Sequence, residues 1–241
     1  MKIFLSAMES PGNYICDAIG SLKYNLMSFY YLKQPTFEKV LKHSELMLID
    51  SGAHSFQKGK KVDWVAYTRK YAAWIQANDC PKILGYFEMD VDNAIGYDKV
   101  LQLRAILESV SDKIIPVWHK NRGIPEYQKM CQQYAGKIIA ITGFRNEDIT
   151  DTQYLMFLKY AKKYGCKVHC LGMTRRDILD KVPFDYVDSS SWAQQGAFAR
   201  VGGRKVNSSF ATANTKRIFI ENYKLAMDMQ RRYEKKWASH E

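Results

Sequence analysis

No uninterrupted apolar run in this 241-residue chain comes near the roughly 20 residues that a membrane-spanning helix needs. The opening stretch, Met1-Lys2-Ile3-Phe4-Leu5-Ser6, is too short for a secretory signal and reads as a strand. The expectation is a cytoplasmic protein with no membrane contact. Acidic residues are scarce, 25 Asp plus Glu against 36 Lys plus Arg, for a formal net charge of +11. Such a balance favours a polyanionic partner, although a solvated lysine-rich surface gives the same count. Cysteine is sparse and odd in number (Cys16, Cys80, Cys131, Cys166 and Cys170), and no CxxC pair occurs, so neither a disulfide framework nor a zinc ligand set is indicated. Cys166-Lys167-Val168-His169-Cys170 has the look of a metal cluster, but on a strand His169 points away from both cysteines, which then read as buried free thiols. No linker or low-complexity segment interrupts the chain, which reads as one domain over residues 1–241. No motif points to a nucleotide cofactor, and no metal or other cofactor is expected.

What is present is a regular alternation. Hydrophobic residues make up 46% of the chain, enough for a sizeable core. Strand patterns fall at residues 2–7, 45–52, 82–90, 113–119, 137–144, 167–173 and 184–189, with a weaker eighth at 205–209. Helical patterns lie between them at 14–31, 36–43, 62–78, 94–109, 150–164 and 215–235. Apolar strands alternating with helices imply a parallel sheet buried on both faces, and seven or eight such units favour a closed TIM (β/α)8 barrel over an open sheet. Trp64, Tyr67, Tyr71 and Trp74 recur at helical spacing and read as core rather than as a platform for bases.

Three of the strands stop at an aspartate: Asp50, Asp90 and Asp188. A carboxylate at the end of an apolar run is costly inside a core and natural at a barrel mouth, where strand ends carry the chemistry. Three facing one mouth suit chemistry at an electron-poor carbon. Each has a plainer reading as well. Asp50-Ser51-Gly52 equally makes a turn in which Asp and Ser bond the backbone, and Asp90, with Asp92 and Asn93, equally caps a helix. His119, at a fourth strand end, is either a substrate contact or a satisfied histidine. Cations follow the strand ends too: Lys58, Lys60 and Lys61, then Arg145, Arg175 and Arg176, then Arg200, Arg204 and Lys205. They would share the mouth face, where phosphates could bind. The cations of the last helix read as a solvated outer face.

Asp50-Ser51-Gly52 followed by Phe56-Gln57 resembles the Asp-Ser-Gly-Gly-Phe-Gln motif of the tRNA-guanine transglycosylases. Further resemblances follow in order: Phe87-Glu88-Met89-Asp90 to that family's base-recognising strand end, Ala140-Ile141-Thr142-Gly143-Phe144 to Ala-Ile-Gly-Gly-Leu, and Cys170-Leu171-Gly172-Met173 to Leu-Met-Gly-Val. Pro116-Val117-Trp118-His119 stands in place of Val-Gln-Gly-Gly, and Val187-Asp188 in place of the nucleophilic aspartate. The resemblance runs from about Glu45 to Ser191. The chain departs in Ala53 for the second glycine, in Trp118 and His119 for the base-reading glutamine, in its shorter length, and in lacking the family's zinc subdomain. These departures resemble the compact phage-type relatives, the DpdA-like group, which exchange guanine in DNA for a 7-deazaguanine such as preQ0.

The resemblance implies a set of roles. Asp188 would attack the sugar C1′ and hold it covalently, Asp50 would exchange the proton with the base, and Asp90 would accept from the purine N1–H and amine. Ser51, Gly52, His119, Gly143 and Leu171 would line the base site, with Tyr86 or Phe87 for stacking. Arg145, Arg175, Arg176, Arg200, Arg204 and Lys205 would hold DNA, from which the target base must be flipped or already unpaired. The location would be the cytoplasm, of a bacterial host if the gene is phage-borne. The alternatives are tRNA as substrate, a base-removing glycosylase, a non-catalytic nucleic-acid-binding barrel, and a barrel enzyme for phosphorylated sugars using Gly202-Gly203.

Overall fold

The structure, a computed structural model, describes residues 1–56, 62–142 and 149–238, without the side chains of His54 and Ser208. Short apolar runs form nine strands: β1 (Lys2–Leu5), β2 (Leu22–Ser28), β3 (Ser44–Asp50), β4 (Ile83–Phe87), β5 (Ile114–Ile115), β6 (Val117–Trp118), β7 (Ile138–Thr142), β8 (Lys167–Leu171) and β9 (Tyr186–Ser189). All pairings among them are parallel, in the order β5-β4-β3-β2-β1-β9-β8-β7-β6. The two ends of that order are chain neighbours separated only by Pro116. The sheet therefore curls back on itself into a nearly closed barrel. Proline has no N–H for a ladder bond, but its carbonyl still accepts from Ala140 N at 2.8 Å, while Ile115 O accepts from Glu88 N at 3.1 Å. Val117 N donates to the Glu88 carboxylate at 2.7 Å, so a side chain supplies the acceptor at the break.

Helices surround the sheet, among them Gly12–Ile19, Gln34–His43, Trp64–Asn78, Tyr97–Glu108, Gly123–Gln133, Tyr154–Lys163 and Thr215–Lys236. Alternate strand residues go to two cores. Phe4, Tyr24, Leu26, Leu48, Phe87, Ile115, Val117, Ala140 and Tyr186 fill the barrel. Ile49, Ile139, Val168 and Val187 turn outward to the helices. Both faces are covered, which is why the strands read as continuous apolar runs. The aromatic stripe of the third helix is core, with Tyr71 fully buried and Trp64, Tyr67 and Trp74 packed against it. Among the described residues, no helix is long and apolar enough to cross a membrane.

Two expectations need correction. The helix expected over 14–31 stops at Ile19, where Gly20 takes φ +81°, and β2 follows. Its buried Asn25 accepts from Tyr223 Oη and donates to Ser44 Oγ, so a polar residue in mid-strand is satisfied by tertiary partners. The strand expected at 205–209 is not in the barrel sheet. Arg200–Val201 (β10) and Arg204–Lys205 (β11) make a separate antiparallel hairpin, turned by Gly202 and Gly203 at φ +57° and +87°, and a short helix starts at Ser208. Two consecutive positive φ angles mark the tight hairpin turn that suits twisted strands.

Candidate active site at the barrel mouth

Which side chains enter the mouth follows from strand parity. Stepping two residues from the interior positions Phe4, Leu26, Leu48, Val117, Ala140 and Tyr186 reaches Ser6, Ser28, Asp50, His119, Thr142 and Asp188. Leu171 packs against the same inner core. Asp50, His119, Leu171 and Asp188 are thus brought to one end of one barrel.

Asp188 Oδ1 accepts from Gly172 N at 2.9 Å and lies 3.0 Å from His169 Nε2, while Oδ2 takes part in neither contact. His169 is fully buried inside the barrel, edge-on to Phe87 at 5.0 Å between ring centroids. Among the described residues its Nδ1 has no hydrogen-bond partner, which leaves Nε2 as the ring atom that meets the aspartate. Sequence reading placed His169 on the face opposite Cys166 and Cys170 without seeing what it meets there. Cys170 lies in the outer core, Cys166 bonds the carbonyls of Cys131 and Tyr134, and all five cysteines are free thiols.

Asp50 ends β3, where its Oδ2 accepts from Gly52 N at 2.8 Å. Gly52 sits at φ +75°, and a Cβ there would lie 2.8 Å from Ser28 Oγ and closer still to Tyr30 Cβ. The close approach that glycine permits is to the chain itself. Ser51 is buried, its carbonyl accepting from Tyr67 Oη at 2.6 Å. Burial, with help from Asp50, pushes the Tyr67 hydroxyl up, so it stays a donor. Glu9, in the loop after β1, joins this corner by accepting from Ser28 N. Burial pushes its carboxyl up and Asp50 adds to the rise, against the pull of the Ser28 and Glu9 backbone N–H groups.

Asp90 is no helix cap. Its Oδ1 lies 2.6 Å from His119 Nε2 and 3.7 Å from Arg122 Nη2. Arg122 is almost wholly buried, bonded to Glu88 and Asp92 at 3.0 Å each and stacked 4.4 Å from the Tyr97 ring centre. Glu88, fully buried, also accepts from Arg104 at 2.6 and 3.1 Å. Burial alone would lift the Asp92 carboxyl, but Arg122, Asn121 and His119 together hold it below the usual carboxylate range. Asp90, Asp92 and His119 offer ligand atoms within 4.8 Å of one another, a spacing that could take a cation. Arg122 already supplies positive charge to both of these aspartates, which lowers any gain from a metal. Phe87, not Tyr86, faces the interior, while Tyr86 turns outward and donates to Asp79.

The expected DNA-binding cations differ in freedom. Arg175 is engaged by Asp151 and Asp177, each at 2.8 Å, which ties up its guanidinium. Arg176, Arg200, Arg204 and Lys205 are exposed. Gly143, Arg145, Lys58, Lys60 and Lys61 lie outside the described residues. Sequence reading missed Glu9, Glu88, Arg122 and His169 as parts of the site. Arg122 follows the strand end at His119 and Glu88 stands inside a quoted motif, so attention to every charge near a strand end would have found both; Glu9 had no local signal. The chain matches no family model and no curated protein.

Proposed function

We propose that this protein is a transglycosylase of the kind it resembles, exchanging guanine in DNA for a 7-deazaguanine such as preQ0. The observation that carries the reading is the shared inward position of Asp50 and Asp188 at the ends of β3 and β9, with Asp188 Oδ1 held by the Gly172 amide and His169. Asp188 Oδ2 attacks the sugar C1′ as the C1′–N9 bond breaks, giving an aspartyl-sugar ester and a purine that carries the bonding pair. Asp50 protonates the leaving base, and the Glu9 carboxyl beside it is raised by burial and by the Asp50 charge. The incoming base gives its N9 proton to Asp50, attacks C1′ and releases the Asp188 carboxylate. No redox partner or metal enters this balance.

Asp90, oriented by His119 and Arg122, accepts from the base's N1–H and amine. Leu171 and His119 flank it. DNA rather than tRNA rests on the resemblance to the compact group. The same reading counts residues 114–118 as one strand broken at Pro116, which makes the fold an eight-stranded TIM barrel.

The test is release of labelled guanine from DNA and from tRNA, with and without preQ0, by the wild type and Asp188→Ala. Release from DNA that requires preQ0 and vanishes in Asp188→Ala is the expected result. Release from tRNA alone moves the substrate, and release without an added base makes the protein a glycosylase. No release from either, with nucleic acid still bound, overturns catalysis.

A further inference from the structure

The hairpin of β10 and β11 forms a sheet apart from the barrel and is hydrogen-bonded to the last helix. Asn222, buried on the last helix, donates to Arg200 O at 2.6 Å and accepts from Gly202 N at 3.2 Å. Val206 N donates to Ala199 O at 2.9 Å and closes the strand pair. The preceding helix, Ser191–Ala197, packs on the same last helix through Trp192, whose ring centre lies 4.9 Å from that of Tyr223. This mount follows directly in the chain from β9, the strand that carries Asp188.

The side chains on this mount are arranged against the protein's own stability. Arg200 and Lys205 are paired directly across the two strands, with Arg204 next to them. Like charges facing each other in a strand pair repel. Among the described residues, none of the three makes an ion pair with a carboxylate, whereas nearby Arg175 makes two. Just before the hairpin, Phe198 leaves 71% of its surface exposed, the largest such exposure among the described large apolar side chains; Phe210, just after it, leaves 42%. A flat apolar ring costs free energy in water. Unpaired cations beside an exposed ring match a partner that carries phosphates and flat bases together. Paired bases in a duplex hide their faces, and an acidic peptide or a lipid headgroup has no faces to stack.

We infer that the hairpin is a binding site for unpaired nucleic acid, with Phe198 stacking on a base and Arg200, Arg204 and Lys205 on the flanking phosphates. It would hold the strand beside the mouth open while the target base enters. The inference rests on the proposed function only in taking nucleic acid as the partner, and the binding it describes is separate from the chemistry at Asp188.

The experiment is fluorescence anisotropy of a labelled oligodeoxynucleotide, as a single strand and as its duplex, across a salt series. The proteins are the wild type, Phe198→Ala, the double variant Arg200→Ala/Lys205→Ala, and Asp188→Asn. The wild type is expected to bind the single strand more tightly. Phe198→Ala should weaken that binding by about tenfold, from the loss of one base stack. The double variant should lower the slope of log K against log salt by about 1.4, two phosphate contacts at roughly 0.7 each. Asp188→Asn should lose exchange and still bind the single strand, and a wild type that binds but does not exchange counts against the chemistry at Asp188 alone. Unchanged binding by both hairpin variants overturns the inference even where base exchange is observed. So does tighter binding of the duplex. Equal competition by heparin, with Phe198→Ala neutral, would also overturn it and make the hairpin a general polyanion site. All the substituted hairpin side chains are exposed, and matching thermal melts check the fold.

Discussion

At the scale of single residues, the site turns on how its carboxylates are held. Asp188 has one oxygen fixed by a backbone amide and a buried histidine. His169→Phe would keep the ring volume and remove the second contact. Losing a hydrogen bond to a charged group is worth ~1.5–3 kcal/mol, so kcat for base exchange should fall by about ten- to a hundredfold while KM changes little. Steady-state kinetics check this, and a rise in KM with kcat unchanged would make His169 merely structural. Glu9 gives a pH signature. Its folded pKa lies above the ordinary 4.5, so the stability that its proton contributes is present below that value and is lost as pH rises through the raised pKa. Glu9→Gln keeps an acceptor for Ser28 N and removes the titration. Thermal melts should show the variant gaining on the wild type from pH 4 to pH 7. Gly52 is fixed by backbone and space together. Gly52→Ala should cost about 2–4 kcal/mol in urea unfolding, from left-handed strain plus overpacking.

At the scale of elements, the break at Pro116 is bridged by charge. Glu88 accepts from Val117 N and is neutralised by Arg104 and Arg122. Arg104→Met would leave that carboxylate one buried partner short, and removing one side of a buried pair typically costs ~3–5 kcal/mol. Urea unfolding checks it, and a loss below 1 kcal/mol would show that Arg122 alone suffices. Strands such as β3, β4 and β8 were legible because each is an apolar run covered on both faces. β2 was not. Leu22-Lys23-Tyr24-Asn25-Leu26-Met27-Ser28 mixes helix-tolerant residues, and its buried Asn25 is explained only by Tyr223, distant in sequence. The ends of β3, β6 and β9 did show where Asp50, His119 and Asp188 would sit, since parity alone carries a strand-end side chain to the mouth. Glu9 and His169 were hidden because their meaning lies in a neighbour from another strand.

At the scale of the whole molecule, first and last segments are joined. Gln230 on the last helix donates to Ile3 O at 2.8 Å and to Tyr24 O at 2.9 Å, and Tyr223 donates to Asn25. The barrel and its helices therefore share one set of contacts from β1 to the last helix. Urea unfolding should give coincident transitions by tryptophan fluorescence and far-UV circular dichroism; separated midpoints would show that the last helix comes away alone. The same link sets a schedule for synthesis. Ile3 leaves the ribosome 227 residues before its partner Gln230. Until then the seam between β1 and β2 keeps carbonyls with no glutamine to meet them, and a nascent chain must wait, or be shielded, for nearly its whole length. A stop codon anywhere before position 230 thus removes the clasp of the first two strands, so trimming the distal end of the gene should abolish the native protein rather than shorten it.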